Sequence, residues 1–264
     1  MPAVQLTRLR FQLAELFTHI GQPERFAAKL NDLLEFYSDR IYRPGEEAPA
    51  LSMLPQYRPH PAVMRQLELE LVETTQNCSE TDKITLADIL LNDAHLEPRL
   101  LGVHLLATLS TDPPEPLLER IHRYASGRDD PAFLRALIEK GAARLRRQQS
   151  SRWINFIKSW LASPSQLSHI AALRALVETA RDSEFKNLPA VFDITGSLLT
   201  SPPPDLQGHL LTLLQALDER SPAETRYFLR QLLTATNDPA GQRLIRQAQA
   251  RSKENAANST TQGV

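Results

Sequence analysis

Five residues suited to starting a helix, Asp93, Asp129, Ser163, Ser201 and Asn237, stand 36, 34, 38 and 36 positions apart. Each carries a short side-chain oxygen able to accept from a free backbone N–H at a helix N-terminus. Six positions after each comes a polar column, Arg99, Arg135, His169, Gln207 and Arg243. Seven after is a small or apolar one, Leu100, Ala136, Ile170, Gly208 and Leu244. Proline follows two after in three cases, Pro131, Pro203 and Pro239, where it suits the first helical turn. Sixteen after, Leu109, Leu145, Thr179 and Leu217 form a mostly apolar column, and one residue further the column becomes mixed. A register this sharp predicts a helix repeated at one period. A single helix pair cannot close its own apolar face, so neighbours must stack. The expected fold is all-α, a right-handed α-solenoid of stacked antiparallel helix pairs.

The partner helices fall at about 83–91, 115–125, 151–162, 184–200 and 223–236. Upstream, Leu9, Leu13, Leu16, Phe17 and Ile20 recur at helical spacing, Gly21 ends that run, and Pro23 opens a second helix to about Arg40. Four prolines between 43 and 60 predict a long loop, and Pro61 opens the next helix. The expected organisation is an N-terminal helical hairpin or cap over 1–42, a proline-rich loop over 43–60, helical repeats over 61–251, and a disordered polar tail over 252–264.

The stretches DAHLEPRLLGVHLLATL and DDPAFLRALIEKGAARL resemble the second helix of HEAT repeats, of the armadillo-like helical class. The resemblance covers roughly residues 80–250 and implies a HEAT-like superhelix with an extended binding surface. The tetratricopeptide and ankyrin signatures are missing from the sequence. A narrower stretch, KSWLASPSQLSHIAALRAL, is similar to the HEAT-like DNA glycosylases that excise alkylated bases. Those enzymes carry a tryptophan-rich segment ending in a catalytic aspartate one helix pair earlier. The matching region here, GRDDPAFLRALIEKG, has Asp129 and Asp130 but no tryptophan, so the resemblance implies a relative without the catalytic residues.

Charge is near balance over the chain at −1 but is segregated along it. From Gln66 to Glu119 eleven acids face only Lys83 and Arg99, whereas from Arg120 to Arg181 twelve bases face four acids. Lys140, Arg144 and Arg147 share one face of an ideal helix, with Leu134, Leu137, Ile138 and Leu145 opposite. Arg174 and Arg181 fall in the same columns one repeat later. Together with Arg135 these form an expected basic ridge that would bind an anionic partner, because like charges on adjacent helices are costly until neutralised. A solvated face with no specific ligand is the plainer alternative.

Other chemistry finds little support. Trp153 and Trp160, two turns apart, read first as inter-helix core and second as a stacking surface for single-stranded nucleic acid. The seven histidines offer no metal-ligand pair, and Cys78 lies among acids without a base. Asp193, in an apolar helix, reads as an exposed acid. No P-loop, GxSxG or dinucleotide fingerprint occurs, so no catalytic, cofactor or metal residue is assigned. One cysteine and no uncharged apolar run of membrane-spanning length predict a soluble cytoplasmic protein. The expected function is a non-enzymatic scaffold for a protein or peptide. The alternative is a nucleic-acid binder related to the alkylation-repair enzymes.

Overall fold

A computed structural model describes residues 5–38, 52–125 and 130–261, with side chains to Ser252. Among these residues the chain is helical throughout and has no strand. The chain divides into two compact units, residues 1–144 and 145–264.

The first unit holds α1 (Leu6–Phe17), α2 (Pro23–Phe36), α3 (Pro61–Thr75), α4 (Glu80–Leu91), α5 (Leu96–Thr108), α6 (Glu115–Ala125) and α7 (Pro131–Ala136), which runs into a π turn over Leu137–Gly141. α8 (Ala143–Gln148) follows across the division. The second unit continues with α9 (Ser150–Leu161), α10 (Gln166–Arg181), α11 (Leu188–Thr200), a 3₁₀ turn at Pro204–Leu206, α12 (Gln207–Arg220), α13 (Pro222–Ala235) and α14 (Pro239–Thr261). Partner helices predicted at 115–125, 151–162 and 223–236 thus lie within one residue of α6, α9 and α13. α11 starts at Leu188, four residues later than expected, and places Pro189 in its first turn. An earlier start would have put that proline inside the helix, where it removes a hydrogen bond and clashes with the carbonyl four residues back. α14 carries regular helix on to Thr261, through most of the polar segment from 252, and residues 262–264 lie outside the described residues.

In unit 1, α5 is the centre. It packs against α3, α4, α7 and the π turn, and Leu101, Val103, Leu105 and Leu106 are all buried. Gly102 lets α4 come close, since a Cβ there would stand 2.8 Å from Leu91 Cγ and 3.1 Å from its backbone nitrogen. α1 and α2 rest on α3 and α4 with Leu9, Leu13, Phe26, Leu30 and Leu34 inward. In unit 2 the same place is taken by α10, packed on α9 and α12 through Ala171, Ala172, Ala175, Leu176 and Ala180. Its alanines allow close approach on several sides at little entropic cost.

The capping column has a different role from the one its residue types suggest. Asp93 Oδ1 accepts from His95 N at 2.8 Å and Ser163 Oγ from Ser165 N at 3.2 Å, closing a turn before the helix. The caps proper come one or two residues later. Asp130 accepts from Ala132 and Phe133, Ser165 from Ser168, and Asp238 from Gly241. Asp129 lies outside the described residues. The polar column then locks the turn. Arg99 Nε reaches back to Asp93 O at 2.6 Å and His169 Nε2 lies 2.7 Å from Ser163 O, while before α14 it is Gln242, one residue ahead of the column's Arg243, whose Nε2 donates to Thr236 O at 2.9 Å. A side chain closing on a carbonyl six residues earlier in both units is the physical content of the repeat.

Residues 52–60, read as the end of a proline-rich loop, form an irregular strap inside unit 1; 39–51 are outside the described residues. Leu96 N donates to Pro55 O, Tyr57 N and Arg58 N donate to the buried Glu97 carboxylate, and Met53 N and Leu54 N donate to Asp130. Arg58 takes a left-handed conformation at φ 54° to turn the chain toward α3. Asp130 therefore caps α7 and holds the strap with one carboxylate. Burial alone would raise its pKa, but hydrogen bonds from Ser52, Phe133, Met53 and Leu54 outweigh this and hold it below the ordinary value. We expect Asp130→Ala to destabilise unit 1 by about 2 kcal/mol, the loss of a strong cap and its charge-assisted bonds. The wild-type contribution is present above the ordinary carboxylate pKa and disappears as pH falls through the lowered folded value. Urea melts of both proteins at neutral pH and in progressively stronger acid check this: the gap should narrow as pH falls below the ordinary carboxylate pKa.

Candidate functional site

The six cations of the expected ridge have distinct surroundings. In unit 1, Arg135 is largely exposed and lies 3.5 Å from Glu139 of the π turn that follows α7. Lys140 is exposed on the π turn. Its charge contributes to the field at Glu68, where His104 Nε2 stands 2.9 Å from Oε1; that contact first, against the opposing effect of burial, keeps the Glu68 carboxyl below its ordinary pKa. Arg144 donates from Nη1 to the carbonyls of Thr108 and Leu109 at 3.1 and 3.3 Å, closing the last carbonyls of α5.

The π turn matters to this group. Ala142 N bonds to Leu137 O, five residues back, which interrupts the 100° advance per residue on which a shared face at 140, 144 and 147 depends.

In unit 2, Arg147 Nε lies 2.9 Å from Asp182 and its Nη1 lies 3.0 Å from Glu184. Beside it Arg146, whose side chain is only 4% exposed, bonds to the same Asp182 at 2.8 Å. Arg181, at the end of α10, lies 3.4 Å from Glu178. Two turns back on α10, Arg174 is half-buried and has no anionic partner among the described residues; burial lowers its pKa. On the adjacent α12 the pKa of His209 is also pushed down, by burial and then by the Arg174 charge. Unit 2 thus brings Arg147 and Arg181 to one end of α10, each already matched to carboxylates, and leaves Arg174 with a second nitrogen base and no acid.

Asp182 is the residue that sequence reading missed. It stands 36 residues after Arg146, one repeat length, so the period itself pointed to the pair. Its acid was hidden by counting charge in blocks. Arg220 makes a related closure, donating to Ser183 O at 2.7 Å, and Ser252 donates to Asp218 at 2.8 Å. Links of about one period at the C-terminal ends of second helices are thus a structural use of polar residues.

The tryptophans are core: Trp153 is 0% and Trp160 1% exposed, with Trp153 Nε1 donating to Thr179 Oγ1 at 2.8 Å. Asp193 is exposed. Cys78 is half-buried with Sγ near Thr74 O. Among the described residues no three His, Cys, Asp or Glu side chains gather to hold a metal, and no helix is long and apolar enough to cross a membrane.

Chemically, the half-buried Arg174 offers guanidinium N–H groups suited to binding a carboxylate or phosphate. No protein family, curated protein or solved structure matches the chain.

Proposed function

We propose that the chain is a non-enzymatic, cytoplasmic helical-repeat scaffold that binds an acidic segment of a protein partner, with Arg174 as the principal contact. The architecture proposed for it is a right-handed HEAT-like α-solenoid. Three features support that choice. Within unit 1, α3, α5 and α7 pack in succession; within unit 2, α10, α12 and α14 do the same. The turn lock recurs in both units.

The observation that carries the partner class is the half-buried Arg174, which has no ion pair among the described residues, whereas Arg147 and Arg181 have theirs. A guanidinium partly removed from water and left without an anion is costly, and a carboxylate from outside relieves that cost. The nucleic-acid reading draws on the cations of each unit. It is the weaker one because Arg144, Arg147 and Arg181 already bond within their own units, which leaves fewer charges to neutralise phosphates.

A fluorescently labelled glutamate-rich peptide and a mixed-sequence single-stranded DNA, each titrated at low and moderate salt, separate these readings. The peptide should bind, and Arg174→Gln should weaken it about tenfold, the worth of one charge-assisted bond. DNA binding with a steep salt slope that Lys140→Ala flattens would replace the proposal with the nucleic-acid one. Binding of neither ligand at low salt would end both.

A further inference from the structure

The second unit contains a cavity of about 210 Å³ between α12, α13 and α14. Its walls are apolar on one side, with Leu211, Leu214 and Leu229, and polar on the other, with Asp218, Thr225 and Ser252. The sequence explains the space. Along the inward face of α14, Leu244 and Ile245 are buried core residues, but one turn on the positions become Ala248 and then Ser252. The packing layer thins there, where the small Ala248 and Ser252 side chains meet the cavity.

Two features make this more than a packing fault. The hydroxyl of Thr225 is buried, lines the cavity and has no partner among the described residues. Thr75, Thr85, Thr179, Thr195 and Thr212 all bond back to the carbonyl four residues earlier; Thr225 does not. Its side chain has turned from its own helix, leaving a polar group that a buried site leaves unsatisfied only at a cost. The second is Asp218. Half-buried in the last turn of α12, it stands at the negative end of that helix dipole, a poor place for a carboxylate. One oxygen accepts from Ser252 Oγ, and the other has no partner among the described residues. Among the described residues the one cation on the wall is Arg251, which is exposed.

We propose that this cavity binds a short alkylammonium group, the chemistry shared by a lysine side chain and a free aliphatic amine. The ammonium pairs with Asp218 and meets the Thr225 hydroxyl, and the methylene stem lies on Leu211, Leu214 and Leu229. A long apolar stem with a charged head is what a pocket with one leucine wall and one acid wall selects. The site is independent of Arg174 and takes a ligand of opposite charge.

The test is ligand-observed NMR on the full chain with hexylamine, hexanol and hexanoate, followed by a lysine capped at both ends of its backbone. Hexylamine should show saturable binding, and hexanol and hexanoate much less. Asp218→Asn, which keeps the bond from Ser252, should weaken hexylamine about tenfold. Ala248→Leu, which fills the cavity, should abolish the signal with the helical circular dichroism unchanged. Equal binding of capped lysine points to a partner's side chain, and its exclusion points to a free amine. Hexanol binding as well as hexylamine, wild-type binding by Ala248→Leu, or no saturable binding by any probe each overturns the proposal, the last leaving a cavity that holds only water.

Discussion

Asp182→Ala is expected to destabilise the second unit by about 3–5 kcal/mol, the range found when one member of a buried ion pair is removed. Its side chain is 2% exposed and that of Arg146 4%. The carboxylate accepts from Arg146, from Arg147 and, through Oδ1, from the backbone N–H of Glu184. Removing it leaves the Arg146 guanidinium in a dry site with its main anion gone. Burial alone would raise the Asp182 pKa, but the bonds from Arg147 and Arg146 more than reverse this, and the group titrates below its usual value. The sign follows. Because the folded pKa is depressed, the contribution is complete above the ordinary carboxylate pKa of about 3.9 and is lost as pH falls through the folded value. Replacing both partners, Arg146→Met with Asp182→Leu, should recover most of the loss, since two apolar groups of similar size need no counter-charge. Arg147, more exposed, keeps Glu184. Chemical denaturation of the single and double variants at neutral pH decides it. A double variant no better than Asp182→Ala would mean that the pair positions the end of α10 rather than neutralising buried charge.

The helices were legible in the sequence, and the use of their polar residues was not. Period, leucine and alanine columns, and prolines at helix starts located α6, α9 and α13 closely, because each is a local signal with a local cause. The column at Asp93 and Ser163 was visible too, yet a short oxygen before a helix can either cap it or close the turn leading into it. Which happens depends on two residues of offset that residue type does not encode. The partners of the basic residues were not legible for a different reason. Charge counted along a chain ignores partners a repeat away. Arg144 found carbonyls 35 and 36 residues earlier, and Arg146 and Arg147 found Asp182 about as far ahead. In unit 2 about one period of sequence comes within one ion-pair distance. An arginine block in a repeat protein is therefore judged against acids one period off before it is assigned to a ligand. Offset alone would also have matched Arg174 to Glu139, 35 residues earlier, yet Glu139 pairs with Arg135 and Glu178 with Arg181, and Arg174 has no ion pair among the described residues. The strap at 52–58 and the cavity beside Ala248 lay beyond any pattern, since both depend on which side chains of distant helices meet.

Trp153→Ala should cost about 3–5 kcal/mol, comparable to the loss of Asp182, and the reason bears on function as well as stability. The ring is wholly buried against α10, so truncation leaves a cavity and removes a large apolar surface. Trp153→Phe separates the two parts of the cost. It keeps most of the packing and removes the Nε1–H bond to Thr179, whose own hydroxyl retains the Ala175 carbonyl as acceptor. A smaller loss of about 1 kcal/mol is expected from that bond alone. Were Trp153 a platform for stacked bases, either change would weaken single-strand binding while leaving the melt nearly unmoved, as an exposed aromatic does. Denaturant melts and DNA titration of the same two variants discriminate between the roles. A ring at 0% exposure offers no face to a base, so the whole effect should appear in the melt.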